Sequence, residues 1–483
     1  MKTTRGATAK VIDMDDTDPG YRSLEVRKAA GLAARERLPL AEIGELTPDA
    51  DDPNRNPTEL LMRQASSRVP ELMPVRHGRM ARTAFTFYRG AALLMADDLS
   101  RSANSGLEVQ LCGDAHLSNF GFFATPERHL AFDVNDFDET HPGPFEWDVK
   151  RLVASLVVAG LDNGFGRKAS KRIARHCARE YRETIAAQAS LGTLESWYSH
   201  VSPTEDLTEV RAMVDAKMTK DIRKQIEKSW RRDSAQALSK LTTVVGGELR
   251  FISTPPLLVP IEELAGDHET RDIYAEVQDR LVRFRTTMQP HHAALLDKFR
   301  FVRIARKVVG VGSVGTRAWV LLFCGKDNGD PLLLQAKEAQ PSVLADYVAD
   351  PGYANQGERV VLGQRLIQAT GDVFLGWDSG AGLDGQQRDF YLRQLRDAKG
   401  SILIETLDEE ALSAYGRACG RVLAYGHARS GDAVAIAEYL GESDEFDRAM
   451  GRFGEVYAER NARDHDSFVD AIDRGVVAAV ADL

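Results

Sequence analysis

Three side chains with metal-binding or base chemistry follow two strand-like segments in the first third of the chain. Asp114 and Asn119 lie five residues apart, directly after LEVQL, and Asp136 ends the next such segment, HLAFDV. A positioned carboxylate can accept a hydroxyl proton, and Mg²⁺ prefers hard oxygen ligands such as carboxylates. The group therefore predicts metal-assisted transfer, with Asp114 as the general base and Asn119 and Asp136 as ligands of Mg²⁺.

Neighbouring residues leave parts of this assignment open. Asp133 and Asp138 compete with Asp136 for the metal, and Asp138 is retained as a further candidate ligand. Asp136 is preferred because twelve residues separate it from the aspartate of EWD, which leaves room for a loop before the next helix. His116 is a second candidate catalytic residue beside Asp114.

A glycine-rich segment, GVGSVG at 310–315, forms a second candidate site. The residues after it, beginning with Thr316 and AWVLLF, indicate a strand, whereas a dinucleotide-binding loop would lead into a helix. The segment therefore predicts a flap between two strands whose backbone amides approach nucleotide phosphates closely. The predicted nucleotide contacts are Gly310, Gly312, Ser313 and Gly315.

A lysine follows on the third strand of the same region. Lys337 lies 22 residues beyond Gly315, in LLLQAKEA, where a lysine can bind the α- and β-phosphates of ATP. Glu358, in the next predicted helix, is the candidate ion-pair partner of Lys337. Glu338 is the poorer candidate because adjacent strand residues point to opposite faces.

The composition argues against a membrane protein or a nonspecific nucleic-acid binder. No stretch of the 483 residues approaches the ~18 uninterrupted apolar residues of a membrane span, and the formal net charge is −10. The N-terminal residues lack the pattern of a secretory signal, and the four cysteines form no C-x-x-C pair. We therefore expect a cytoplasmic protein with no membrane or nucleic-acid partner.

Helical segments on both sides of a strand-rich region predict an α+β fold. The chain is long enough for about three domains of ~150 residues each, so it can be divided into helical and strand-rich regions. A basic run at 217–232 favours a solvated helical face over a dock for an acidic substrate. The expected regions are an N-terminal extension, partly disordered (1–75), a helical region with the acidic cluster and a helical insert (76–298), a strand-rich region with the glycine segment and lysine (299–396), and C-terminal helices (397–483).

The motifs resemble those of two groups of proteins. GDAHLSN and NDFD are similar to the G-D-x-H-x-x-N and metal-aspartate motifs of aminoglycoside and choline phosphotransferases. FYRGAA, LCGDAHLSNFG, FDVNDFDET, PGPFEWDVKRL, KVVGVGSVGTR and RQLRDAKGS look more closely like an uncharacterised bacterial family, domain of unknown function 2252, over roughly residues 75–435. The resemblance implies a two-lobed protein-kinase-like fold that uses Mg²⁺ and ATP to phosphorylate a hydroxyl of a small molecule or protein.

The order of the motifs differs from that of ordinary kinases, in which the glycine loop and lysine precede the catalytic loop. Here Asp114 and Asp136 come some two hundred residues before Gly310 and Lys337. A circular permutation explains this order, with the helical large lobe first, the antiparallel small lobe in the middle and the remaining large-lobe helices last. It predicts that the helix over 411–427 packs beside the strand that enters Asp114, and that both motif sets face one cleft.

Three other functions fit parts of the pattern. Transfer of AMP would follow if the nucleotide bound in the reversed orientation. A noncatalytic nucleotide-binding scaffold would bind ATP without needing Asp114. A metal-dependent hydrolase built on Asp114, His116 and Asp136 would use His116 as a metal ligand.

Overall fold

The computed structural model describes residues 21–46, 55–201, 238, 240–308, 314–382, 385–395 and 402–480. Three predicted nucleotide contacts, Gly310, Gly312 and Ser313, lie outside these residues, as does the basic run at 217–232. Over the described ranges, no helix has the length and apolar character needed to cross a membrane.

Helices occur on both sides of the main sheet along the chain. Those that begin before residue 300 are α1 (Leu24–Arg37), α2 (Pro57–Ala65), α3 (Met73–Met80), α4 (Ala84–Gly90), α5 (Ala92–Ser100), α6 (Phe145–Asp162), α7 (Arg167–Ser190), α8 (Thr193–Tyr198), α9 (Ile261–Leu264), α10 (Asp267–Thr286) and α11 (Pro290–Leu296). Those after it are α12 (Gln356–Ile367), α13 (Glu409–Ser430), α14 (Ala433–Leu440) and α15 (Glu445–Asp473).

The strands of the described residues pair in antiparallel fashion, as three two-stranded ladders and one six-stranded sheet. They are β1 (Glu108–Leu111), β2 (Phe120–Ala124), β3 (Leu130–Val134), β4 (His141–Pro144), β5 (Thr242–Val245), β6 (Glu248–Phe251), β7 (Leu258–Pro260), β8 (Arg300–Lys307), β9 (Ala318–Cys324), β10 (Pro331–Ala339), β11 (Gly376–Ala381) and β12 (Gln387–Gln394). The ladders are β1–β4, β2–β3 and β5–β6, and the sheet order is β11-β12-β10-β9-β8-β7. The predicted α+β class is confirmed.

Lys337 lies on a central strand of the six-stranded sheet. In β10 it pairs with Ala318 of β9 and with Tyr391 of β12. Alternate side chains of a strand point to opposite faces, so Leu333 and Leu334 of β10 enter separate apolar clusters. Burial on both faces fixes the strand that carries the lysine.

The helices α10 and α11 belong with this sheet. Phe284 of α10 and Leu296 of α11 share an apolar cluster with Leu321 and Leu334 of the sheet. The sequence-based division grouped residues up to 298 with the acidic cluster. Apolar residues of α10 instead pack on one face of the sheet, and the sheet itself includes β7, so the elements that belong with the sheet begin before residue 299.

Four long helices, α6, α7, α13 and α15, pack together in a second core. A glycine permits a close approach at the α13–α7 contact, because a Cβ atom at Gly420 would lie 2.6 Å from the carbonyl oxygen of Cys177. The end of α13 also reaches β1, where the Gln110 amide donates to Ser430 Oγ at 3.2 Å. The predicted packing of the 411–427 helix beside the strand that enters Asp114 is confirmed.

The described parts of the N-terminal segment are helical and packed. The Arg27 guanidinium in α1 binds Asp432 at 2.9 Å, and α1 lies against α14. Leu38 and Ile43 are buried in the helical core. The expected boundary at residue 75 falls inside α3, so the chain passes without a break from this segment into the rest of the molecule.

Candidate active site

A cavity of about 910 Å³ lies between the acidic cluster and the six-stranded sheet. Among the side chains that line it are Asp114, His116, Asn119, Asp136 and Asp138 on one side, and Thr316 and Glu338 on the other. Thr316 directly follows Gly315, the last residue of the glycine segment. The structure thus brings the acidic cluster and the residue that follows the glycine segment to one cavity.

The loop that carries Asp114 is held by a buried aspartate. Asp148, in the first turn of α6, accepts hydrogen bonds from the backbone amides of Cys112 at 2.7 Å and Gly113 at 3.1 Å. His427 of α13 places Nε2 3.3 Å from Asp148, and its Nδ1 lies 2.8 Å from the Tyr181 hydroxyl. Helices from distant parts of the chain therefore fix this loop through its backbone.

Gly113 is required at its position. Its φ is +84°, and a Cβ there would lie 2.0 Å from the carbonyl oxygen of Glu139. Residues with a side chain rarely adopt this backbone conformation. The glycine of the GD motif is therefore explained by its backbone conformation and close packing.

Asp114 combines a cationic partner with a raised pKa. Arg151 Nε donates to Asp114 Oδ1 at 2.8 Å, and the Asn119 side chain donates to the Asp114 carbonyl at 2.9 Å. Burial raises the pKa of Asp114 to about 6, although Arg151 opposes that shift. A carboxylate with a pKa near neutrality is well suited to accept a proton.

His116 is neutral at physiological pH. Burial and the nearby Arg89 and Arg151 hold its pKa well below the ordinary value. Its Nε2 lies 3.6 Å from Asp114 Oδ2, and within the described structure its buried Nδ1 has no hydrogen-bond partner. The His116 imidazole thus lines the cavity without a hydrogen bond to the Asp114 carboxylate, although the His116 backbone amide donates to the Asp114 carbonyl at 2.7 Å.

The three candidate metal-binding aspartates have different surroundings. Asp133 is buried, accepts a hydrogen bond from the Val134 amide at 2.8 Å and does not line the cavity. Both Asp138 oxygens are engaged, by Lys337 Nζ at 2.5 Å and by the Tyr391 hydroxyl at 2.6 Å. Asp136 is the least constrained, since its nearest cation, Lys337 Nζ, is 3.5 Å away.

Asn119 and Asp136 are held next to each other. The Asn135 amide donates to the Asn119 carbonyl at 2.7 Å, which joins the two loops. Because the Asn119 amide nitrogen is engaged by Asp114, its side-chain oxygen is left for a cation. Mg²⁺ usually needs only one or two carboxylates besides water and phosphate oxygens, so the donors of Asn119 and Asp136 fit this ion.

Lys337 does not form the predicted ion pair with Glu358. Its ammonium lies against Asp136 and Asp138, and its side chain is 2% exposed. Burial alone would lower its pKa, but the two carboxylates outweigh that effect and raise it. Lys337 is therefore held as a cation at the edge of the acidic cluster.

The position of Glu358 on α12 explains why it does not pair with Lys337. Glu358 is half-exposed in the first turn, while the next residue, Arg359, is buried and points toward the cavity wall. Successive helix residues differ by about 100° in direction, so only one of the two can face inward. Arg359 donates to the carbonyls of Asp138 and Gln340, both at 2.9 Å.

Glu338 also has other partners. It binds Arg317 at 3.3 Å and Arg388 at 3.3 Å. Glu338 lines the cavity. Because adjacent strand residues point to opposite faces, its side chain leaves β10 on the other face from that of Lys337. These contacts agree with the lower rank given to Glu338 as a partner of Lys337.

Tyr391 and Arg393 are site residues that sequence reasoning missed. Tyr391 binds Asp138, and Arg393 donates to the Asn135 carbonyl at 2.9 Å. Both come from β12, the strand paired with the lysine strand. Correct strand pairing would have placed Tyr391 directly beside Lys337.

A family model described as "Uncharacterized protein conserved in bacteria (DUF2252)" matches residues 68–471. The chain belongs to this family. The matched region contains the acidic cluster, the glycine segment, the lysine strand and α13. Comparison with curated proteins and with solved structures gave no match.

The family match begins at Arg68, within a segment that the sequence analysis placed outside the site. Arg68 Nη1 donates to the Val314 carbonyl, and the Val69 amide donates to the Gly315 carbonyl, both at 2.8 Å. Gly315 has a φ of +91°, and a Cβ there would lie 2.2 Å from the Met73 side chain. The N-terminal segment therefore packs directly on the described end of the glycine segment.

Proposed function

We propose that this protein is a Mg-ATP-dependent phosphotransferase with a circularly permuted, kinase-like active site. It transfers the γ-phosphoryl group of ATP to a hydroxyl of an acceptor. The observation that carries the proposal is the shared cavity, which Asp114, Asn119 and Asp136 line together with Thr316 at the end of the glycine segment. Lys337 reaches the same acidic cluster from the central sheet.

Each side chain has a role that its surroundings support. Asp114 orients the acceptor hydroxyl and takes its proton while the new oxygen–phosphorus bond forms and the bond to ADP breaks. Arg151 fixes the Asp114 carboxylate. Lys337 and the amides of the glycine segment hold the nucleotide phosphates, and Asn119 and Asp136 hold Mg²⁺. When bound, that ion neutralises charge on the phosphate oxygens.

The packing of α13 supports the permuted arrangement. In the kinase order, the helix of 411–427 would precede the strand that leads to the catalytic aspartate. Here that helix follows in sequence yet lies beside β1, and its His427 helps to hold the Asp114 loop through Asp148. The C-terminal helices therefore complete the part of the molecule that carries the base.

The first test is thermal stability with and without Mg-ATP. The wild type should gain about 2.7 kcal/mol at a ligand concentration 100 times Kd, because only the folded chain assembles the cavity. Lys337→Ala and Asp136→Asn should lose most of this gain. Lys298→Ala, an exposed lysine outside the cavity, is the matched control and should respond like the wild type. An equal gain in all four proteins would contradict the proposed nucleotide site.

The second test identifies the transferred group. The protein is incubated with a bacterial extract and ATP labelled in either the α- or the γ-phosphate. Label from the γ-phosphate alone should appear in a product, and Asp114→Asn should abolish this transfer while it retains nucleotide binding. Transfer of the α-label would indicate AMP transfer, and binding with no transfer by the wild type would favour a scaffold.

A further inference from the structure

Several arginines from the N-terminal helices and the segment between them line the same cavity. They are Arg63, Arg68, Arg76 and Arg89, from α2, the segment after it, α3 and α4. Arg76 is 1% exposed and is among the largest fully buried side chains. Buried guanidinium groups are rare without a partner, so their presence beside a cavity needs an explanation.

Arg76 and Arg89 have donors that the protein leaves unused. Arg76 Nη2 donates to the Gly90 carbonyl at 2.8 Å and lies 3.3 Å from Gln64 Oε1. Its Nε and Nη1, and Nε of Arg89, are buried and have no hydrogen-bond partner in the described structure. A buried donor without an acceptor is unfavourable, whereas an oxyanion in the cavity would satisfy such donors.

Carboxylates of the protein do not fill this role. Asp114 is bound to Arg151, and Glu139 accepts a hydrogen bond from the Val343 amide at 2.7 Å. Among the described residues, no carboxylate lies within ion-pair distance of Arg76 or Arg89. Burial lowers the pKa of both arginines, but a guanidinium stays charged at physiological pH.

Arg89 lies on the acceptor side of the proposed reaction, and Arg76 donates to the carbonyl of Gly90, the residue that follows Arg89. The charge of Asp114 acts on Arg89, and α4 packs against α6, which carries Arg151. Lys337, assigned to the nucleotide, belongs to the sheet side. One buried and one half-buried positive charge suit a dianion, and a phosphate monoester is mostly one at neutral pH.

We propose that Arg76 and Arg89 bind a phosphate group of the acceptor, so that the substrate is an alcohol that already carries a phosphate ester. That the bound phosphate belongs to the acceptor rests on the proposed function, whereas the oxyanion site itself rests on the arginines alone. The two guanidinium groups position the acceptor, and Asp114 receives the proton from its hydroxyl.

The test is calorimetric titration of the full-length protein with inorganic phosphate, with and without saturating Mg-AMP-PNP. Phosphate should bind in both conditions. Arg76→Met and Arg89→Met should each weaken phosphate binding by about tenfold to a hundredfold, since each removes charged hydrogen bonds. Affinity for Mg-AMP-PNP should stay unchanged. Arg82→Met, at an exposed arginine outside the cavity, is the control.

Each other result has a definite meaning. Unchanged phosphate affinity in both variants would overturn the oxyanion site. If AMP-PNP displaces phosphate and Arg76→Met weakens AMP-PNP by the same factor, the arginines hold the nucleotide's own phosphates and the acceptor assignment is wrong. If AMP-PNP does not bind the wild type, the proposed function fails, while phosphate binding that depends on the arginines would still establish the site. Arg89 is half-buried, so its variant gives an answer even if Arg76→Met fails to fold.

Discussion

Two buried cations face carboxylates in this cavity, and they are held in different ways. Arg151 binds Asp114, donates to the Tyr88 carbonyl at 2.7 Å and lies 3.8 Å above the Tyr88 ring. Among the described residues, the Lys337 ammonium hydrogen-bonds only to the carboxylates of Asp136 and Asp138, and it lies 5.5 Å from the centre of the Tyr391 ring. Arg151 and Asp114 both belong to the helical region, whereas Lys337 reaches Asp138 from the sheet.

The difference suggests separate tasks for the two pairs. Backbone and ring contacts keep Arg151 in place whatever the cavity contains, so Asp114 keeps its orientation. Lys337 is held by carboxylates that would bind a metal ion or exchange partners with phosphate. Under the proposed function, the first pair is a fixed support, and the second is one that a bound nucleotide would rearrange.

The largest effect is expected for Arg151→Met. The substitution leaves Asp114 buried without its cation, at a cost of about 3–5 kcal/mol in the free energy of unfolding at pH 8. The cost should shrink at pH 5, because loss of Arg151 raises the pKa of Asp114 further and the carboxyl then becomes neutral. Urea denaturation at the two pH values measures both effects. A loss independent of pH would show that Arg151 acts mainly through packing on Tyr88.

Glu139→Gln tests the region between the two pairs. Burial raises the pKa of Glu139 from 4.5 to about 7, and the charges of Asp138 and Asp114 add to the shift. Because the pKa of Glu139 is higher in the folded state, its neutral form contributes no penalty below pH 4.5. As the pH rises through 7, the buried carboxyl ionises and stability is lost. As the pH rises from 4.5 to 7, the free energy of unfolding of the variant should therefore increase by about 2–3 kcal/mol relative to that of the wild type. Parallel stability curves for the two proteins would contradict this.

Lys337→Met should lower the free energy of unfolding by about 1–2 kcal/mol. This loss is smaller than the one expected for Arg151→Met. Asp138 keeps the Tyr391 hydroxyl, and its side chain is 25% exposed compared with 16% for Asp114. Urea denaturation of both variants at pH 8 measures the two losses in the free energy of unfolding and so gives their ratio. Equal losses would remove the distinction between a fixed and an exchangeable pair.

The smallest effect is expected for Tyr391→Phe. Loss of one hydroxyl donor should cost about 1 kcal/mol of stability. It should also raise the pKa of Asp138, because burial favours the neutral form and one opposing hydrogen bond is gone. NMR titration of the carboxyl carbon checks this shift. An unchanged pKa would mean that Lys337 alone controls Asp138.

The acidic cluster could be predicted because its residues follow strands that the apolar pattern marks clearly. Asp114, Asn119 and Asp136 line one cavity for that reason. The partner of Lys337 was predicted wrongly, since the exact start of α12 decides whether Glu358 or Arg359 faces inward. A shift of one residue turns a helix face by about 100°, and the sequence does not fix that phase.

Other features depend on contacts that sequence patterns do not encode. β11 was not predicted because GWDSGA contains two glycines and no β-branched residue. A helical insert before residue 298 was expected, but the sequence pattern of α10 could not tell which surface that helix covers. Arg76 was overlooked as a site residue because only the packing of α3 against α4 brings it to the cavity.

The contact between β1 and α13 has a consequence for how the chain matures on the ribosome. Asp114 is translated early, but the helix that shields its strand begins only at Glu409. Until then the apolar sides of α6 and α7 lack their cover, and a nascent chain in that state is prone to aggregate. The candidate active site is thus completed only after α13 has been translated, and chains that stop before Glu409 should depend on chaperones for solubility.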